Sequence, residues 1–178
     1  MPNWCNNSLT VSGDLTKFLD VIGEDNKFSF NKFNPMPEEL ENSTCVVFTA
    51  DEDEQQKIAD EKARLLEKYG ASGWYDWNCQ NIGCKWDVEG EVETLGNSAL
   101  IYFDSPWSPP LDGVELLSRQ FPELEFKLDY FEPGMMFAGR ATAEEGLLVD
   151  NCVGDENDPL WQEVAVEGFQ YDPSEFDE

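Results

Sequence analysis

The chain has no histidine, few cations and no long apolar run. Without histidine it lacks the side chain whose proton moves most readily near neutral pH, so acid–base work would fall to carboxylates. Pairs such as Asp51/Asp53 or Asp155/Asp158 exist, but 38 acids in 178 residues produce such pairs by chance, and an enzyme is not the expected reading. Lys and Arg number only 11, the net charge is −27, and no cation follows Arg140. A surface this anionic repels phosphate backbones, which disfavours direct contact with DNA or RNA. A basic protein, or the basic groove of a nucleic-acid enzyme, matches better; the plainer alternative is that acidity serves solubility. No apolar stretch approaches the roughly 20 residues needed to cross a bilayer. The opening MPNWCNN carries neither a basic leader nor an apolar signal segment. The expectation is a cytoplasmic protein with no membrane partner.

Cysteines are present but in odd number: Cys5, Cys45, Cys79, Cys84 and Cys152. With no export signal they read as reduced thiols, most of them small buried side chains. Cys79-x₄-Cys84 is looser than a C-x₂-C knuckle and has no histidine to join it, so neither a metal nor a cofactor is expected.

What is abundant is aromatic side chains, and they concentrate at Trp74–Asp87, WYDWNCQNIGCKWD, where the core is expected to close. Leu9 and Val11 alternate with polar neighbours in a strand over Asn6–Ser12. Asp14 then caps a helix carrying Leu15, Phe18, Leu19 and Ile22, which Gly23 ends. Phe28 and Phe30 suggest an extended segment broken by Pro35 and Pro37, with a turn or short helix at Glu38–Glu41. Cys45–Thr49 reads as a short strand or a lead-in. A helix from about Asp51 to Tyr69 follows, with capping boxes offered by both Thr49-x-x-Glu52 and Asp51-x-x-Glu54, and is stopped by Gly70.

Trp74–Asn81 reads as a short helix, Lys85 to about Glu93 as a strand, and Leu95-Gly96-Asn97 as a turn into a strand at Ser98–Asp104. That last strand is apolar on both sides, which predicts a sheet covered on both faces. Pro106–Pro110 is extended, Asp112-x-x-Glu115 opens a helix closed by Pro122, and Leu124–Tyr130 alternates as a strand. Met135–Ala141 and Leu147–Val153 complete the strands, Pro159–Phe169 can form a helix, and Asp172–Glu178 reads as disordered.

The order β-α-β, helical insertion, β-β-α-β resembles an α+β, ferredoxin-like split βαβ sandwich. It divides into residues 1–153, with the helical insertion at about 38–83, and an acidic C-terminal extension at 154–178. Four short motifs sharpen the likeness. They are Met1-Pro2-Asn3-Trp4-Cys5-x-Asn7; Pro35-Met36-Pro37-Glu38-Glu39-Leu40; Trp77 with Gly83-x-Lys85-Trp86-Asp87; and Glu132-Pro133-Gly134 with Phe137-Ala138-Gly139. Together they resemble the YubB-like proteins of phages and plasmids, over nearly all of the chain. That family tends to read Trp-Gly-Thr-Lys-Trp where this chain has Ile82-Gly83-Cys84-Lys85-Trp86, so one indole is lost. The resemblance implies a ferredoxin-like fold and a mobile-element setting, and brings no catalytic residues.

Two candidate surfaces follow. Carboxylates at Glu144, Glu145, Asp150, Asp155, Glu156 and Asp158 form an acidic partner surface. The expected function built on it is a non-enzymatic interaction protein of a phage or mobile element, inhibiting a host defence or nucleic-acid-binding protein by negative-charge mimicry. The alternative is a small-ligand-binding domain or enzyme with a pocket of Trp74, Trp77, Lys85, Trp86, Asp87 and Trp107. There Lys85 orients an anionic ligand or stacks on an indole, or else simply pairs with Asp87 or another carboxylate. Trp107 is either an exposed ledge or a cover for one end of the core.

Overall fold

A computed structural model describes residues 3–43 and 51–172. The expectation for Cys45–Thr49, and most of that for the C-terminal end, lie outside the described residues. Within them the elements run β1 (Trp4–Ser12), α1 (Thr16–Ile22), β2 (Lys27–Phe28), α2 (Phe30–Phe33), α3 (Glu38–Glu41), α4 (Glu52–Tyr69), α5 (Trp74–Asn81), β3 (Gly90–Leu95) and β4 (Ser98–Pro106). Then come α6 (Leu111–Gln120), β5 (Glu125–Glu132), β6 (Phe137–Glu144), β7 (Leu147–Val153) and α7 (Pro159–Trp161), which continues into a wider π-type turn at Gln162–Gly168. In that turn the Phe169 N–H reaches the Val164 carbonyl five residues back, at 3.0 Å.

All the strands join one antiparallel sheet in the order β2-β3-β4-β1-β5-β6-β7. Its centre, β3-β4-β1-β5 with α1 and α6 as the crossovers, is the ferredoxin-like arrangement, and α3 to α5 precede β3 in the chain. Period-2 alternation sets the faces. Leu9, Val11, Ile101, Phe103, Phe126 and Leu128 point to the helices and pack with Phe18, Phe30, Val114 and Leu117. Phenylalanines dominate this layer: Phe18 stacks on Phe33 at 5.0 Å between centroids, and Phe28 on Phe103 at 5.7 Å.

Three of the departures from expectation have a plain physical reason. Phe30 begins a helical turn because the carboxylate of the distant Asp87 accepts from the N–H groups of Phe30 (2.9 Å) and Asn31 (3.0 Å) and from the Ser29 hydroxyl (2.5 Å). For the same reason the strand expected from Lys85 starts only at Gly90, where an added Cβ would lie 2.7 Å from the Tyr102 carbonyl. Finally, β4 is not covered on both faces: Tyr102 is 56% exposed. The helices α1, α2 and α6 pack against the Ile101 and Phe103 side. On the other side the C-terminal segment covers only the Phe131 and Ala138 end, through Trp161, Val164 and Ala165.

A smaller cluster holds the helical insertion. Leu40, Leu65 and Ala71 pack with Met36, Tyr69 and Trp77. Leu65 is the only buried residue of α4; of its two candidate caps Asp51 serves, accepting from the Glu54 N–H at 2.9 Å, and the expected stop forms at Gly70 with a left-handed φ of 75°.

Candidate functional site

The expected aromatic pocket divides. Lys85, Trp86 and Trp107 come together, with the Lys85 ammonium 5.1 Å from the Trp86 ring centroid and 5.2 Å from that of Trp107. Trp86 and Trp107 lie 6.0 Å apart, and Trp4, which the pocket expectation left out, joins them 6.1 Å from Trp86. The missed signal was pairing: Trp4 on β1 sits opposite Pro106 on β4, one residue from Trp107. Trp77 instead packs in the insertion cluster and Trp74 against Tyr75. Asp87 is turned away to cap α2, so the Lys85–Asp87 ion pair does not form.

The loop beneath these rings is held firmly. Trp107 adopts a left-handed backbone, φ 64°, which costs a bulky residue about 1–2 kcal/mol. Hydrogen bonds on both sides offset that strain. The Trp107 N–H donates to the Asn3 carbonyl (2.9 Å), Ser105 Oγ to the Ser108 carbonyl (2.7 Å) and Ser108 Oγ to the Gly83 carbonyl (3.2 Å). Asn7, buried in β1, anchors this loop by donating to Ser105 Oγ at 2.8 Å. The result is a rigid ledge with Trp4 and Trp107 both near half exposed.

The acidic candidates occupy varied settings. Asp158 caps α7 by accepting from the Leu160 N–H at 2.8 Å, and Asp155 accepts from the Asn157 N–H at 2.9 Å, which lowers its pKa. Asp150, on the helix-facing side of β7, accepts from the Tyr130 hydroxyl at 2.8 Å. That phenol crosses Gly139, where a Cβ would sit 2.2 Å from its oxygen, and its own pKa is pushed up by burial, then by its Cys152 and Asp150 neighbours. Glu144, Glu145 and Glu156 stand exposed.

A second acidic surface, on the opposite flank of the sheet, was not among the candidates. On the open face Glu91 pairs across with Tyr102 and Glu93 with Leu100, while Asp104 lies opposite Asn6. Here two adjoining hollows, of about 500 and 370 Å³, share Glu89 and Tyr102. Asp104, Asn6 and Phe169 complete the first, and Glu91, Glu93 and Lys27 the second. The Lys27 ammonium is already paired with Glu89. Between the two acidic flanks runs a band of matched charge, in which Arg140 binds Asp129 (2.5 Å) and Glu163 (2.9 Å) and Lys127 binds Asp129 (3.2 Å).

The two buried thiols, Cys5 and Cys84, are chemically quiet, while Cys79 is half-buried and Cys152 exposed. Burial pushes Cys84 up to about 12, with the Asp87 charge adding, and raises Cys5 further. Among the described residues no group of three or more Cys, Asp or Glu side chains is placed to hold a metal ion. No described helix is long and apolar enough to cross a membrane.

Residues 84–170 match the family model for the ferredoxin-like domain in Api92-like protein. The match covers just under half of the chain and takes in β3 to β7 and the C-terminal turn. Among solved structures the chain is similar to the crystal structure of a protein Api92 from Yersinia pseudotuberculosis. The TM-score is 0.51 and the identity 14%, over 89% of this chain and 100% of that one. At that identity the likeness is one of fold. No curated protein matches the chain.

Proposed function

We propose that the protein is an acidic binding module whose open sheet face engages a basic partner, occupying a surface that otherwise holds nucleic acid. The observation that carries this is the trough of Glu89, Glu91, Glu93 and Asp104 around Tyr102, where the one lining cation is already paired. Same-face residues along a strand recur about every 6.8 Å. That is roughly half the axial charge density of a single nucleic-acid strand, which carries one phosphate per about 3.4 Å. Tyr102 adds a ring face for a lysine or arginine side chain.

In this reading the partner is a host defence protein or nucleic-acid enzyme met in the cytoplasm. The phage or plasmid setting rests on the resemblance of the four sequence motifs alone. The test is capture of partners from host lysate over a salt series, followed by competition with duplex DNA. Basic partners that leave with rising salt, and that exchange the protein for DNA, support the reading; only salt-insensitive partners, or none, overturn it.

A second reading, an anionic small ligand at the Trp4–Trp86–Trp107 ledge, is favoured by the strained backbone that presents Trp107. Here Lys85 supplies the charge. Titration with aromatic carboxylates should then change tryptophan fluorescence in the wild type and leave Lys85→Met unresponsive; equal behaviour of the two removes this reading.

A further inference from the structure

The sheet ends at β7, and of the usual protections this edge carries one inward carboxylate, Asp150, already held by the Tyr130 hydroxyl at 2.8 Å. Among the described residues no strand pairs with its outer side, and no backbone hydrogen bond outside the sheet involves residues 147–153. Natural edges are usually short, bulged or guarded by inward charge. Here seven residues run unbroken, with Leu147 and Val149 76% and 69% exposed on the open face. They border a hollow of about 340 Å³ completed by Thr142, Glu144 and Glu145.

The hairpin geometry says which backbone groups are on offer. Glu145 (φ 49°) and Gly146 (φ 80°) form a two-residue turn with both φ positive, and Glu144 pairs with Leu147. The residues flanking such a turn exchange both of their hydrogen bonds. Leu147, Val149 and Asn151 therefore point their N–H and C=O groups toward β6, and Leu148, Asp150 and Cys152 point theirs outward.

We propose that β7 receives an extended basic segment of a partner protein as an eighth strand. Its apolar side chains lie along Leu147 and Val149 on the open face, its alternate lysines or arginines meet Asp150 on the other, and Glu144 and Glu145 add negative field at the turn. Charge selects this occupant. A second copy of the chain brings a net charge of −27 to the same edge, and the chain's own C-terminal residues carry Glu175, Asp177 and Glu178. The one cation beside the turn, Arg119 under Gly146, is paired with Glu115 at 3.0 Å. The inference rests on the basic-partner reading above and locates a contact that reading leaves open.

The experiment titrates a labelled octapeptide of alternating lysine and valine into the full chain at low and moderate salt, with a glutamate–valine octapeptide as control. Light scattering follows the mass of the protein. Cys152→Pro removes an outward N–H while leaving the β6 ladder intact, and Cys152→Ala keeps that N–H. The lysine–valine peptide should bind wild type and Cys152→Ala within twofold of each other and Cys152→Pro at least tenfold more weakly. On binding, amide exchange should slow at Leu148, Asp150 and Cys152. Equal binding by Cys152→Pro, lost instead when Glu91, Glu93 and Asp104 are neutralised, overturns the edge contact and leaves the acidic-module reading standing. No binding of the basic peptide at any salt overturns both. A dimer in solution that Cys152→Pro dissociates assigns the edge to a second copy and overturns the proposal.

Discussion

Helix α4 and the flanks of the sheet are both acidic, yet their charge means different things. Over Glu52–Tyr69 six acids face four cations, and Arg64 and Lys68 reach back to Glu39 on α3. Between Lys85 and Arg119 the sequence holds seven acids and no cation, and after Arg140 twelve acids and none, although Glu89, Glu115 and Glu163 are reached by Lys27, Arg119 and Arg140. On α4 the charge is largely matched within the insertion, which is what a solvated helix face needs. On the sheet flanks it is left over, beside exposed Tyr102, Leu147 and Val149. A net charge alone cannot separate these cases; the position of the cations does.

The hardest blow to that contrast comes from releasing the acidic C-terminal segment. It is held to the sheet by Trp161, fully buried against Phe131 at 5.7 Å and Tyr171 at 5.8 Å. Trp161→Ala should cost about 3–5 kcal/mol in denaturant unfolding. It should also open the wall that Phe169 gives the trough. A loss below about 1 kcal/mol would mean that the segment is anchored elsewhere.

Next in size is the direct comparison. Neutralising Glu89, Glu91, Glu93 and Asp104 as amides should weaken binding of a basic partner tenfold or more at low salt. The same treatment of Glu52, Asp53, Glu54 and Glu61 on α4 should change it less than twofold. Equal losses would reduce the trough to a share of the overall field.

Smaller still is the matched band between the flanks. Arg140 and Asp129 are 26% and 18% exposed, against 53% and 41% for Arg64 and Glu39. Arg140→Met should cost about 1 kcal/mol, since it leaves the largely buried Asp129 carboxylate with Lys127 alone, whereas Arg64→Met should cost only a few tenths. Binding should move the other way, because Arg140→Met joins the two acidic flanks into one field. A single variant that lowers stability while tightening a basic partner separates the two roles of charge.

Local chemistry made most of the fold legible in the sequence. The alternation of Leu124–Tyr130, the Asp51 cap and the Gly70 stop all reappear, because each depends on neighbours within a few residues. What escaped was long-range. Asp87 caps a helix start 57 residues away, which turned Phe30 from strand to helix and dissolved the expected Lys85–Asp87 pair. Trp4 joined Lys85 through strand register, and the trough draws on β1, β3, β4 and Phe169 together. Residue lists by segment find the Trp86–Lys85–Trp107 ledge, since two of its members are adjacent, and miss a surface assembled across strands.

The mildest prediction concerns how the insertion responds to acid. Glu39 accepts from Lys68 (2.5 Å), Arg64 (2.7 Å) and the Tyr69 hydroxyl (3.1 Å), and these bonds, Lys68 first, lower its carboxyl to about 2 from an ordinary 4.5. A depressed carboxylate stabilises the folded state above its ordinary pKa, and that contribution is lost as pH falls from about 4.5 to about 2. Both charged partners are solvent-exposed, so the effect is small and local. Hydrogen exchange, corrected for intrinsic rates, should show the end of α4 near Arg64 and Lys68 losing protection between pH 5 and 3. Glu39→Gln should have that lower protection already at pH 6 and change little on acidification. If wild type and Glu39→Gln lose protection in parallel, the acid response belongs to the whole charge of the molecule. The distinction between matched charge on α4 and surplus charge on the sheet would then lose its local basis.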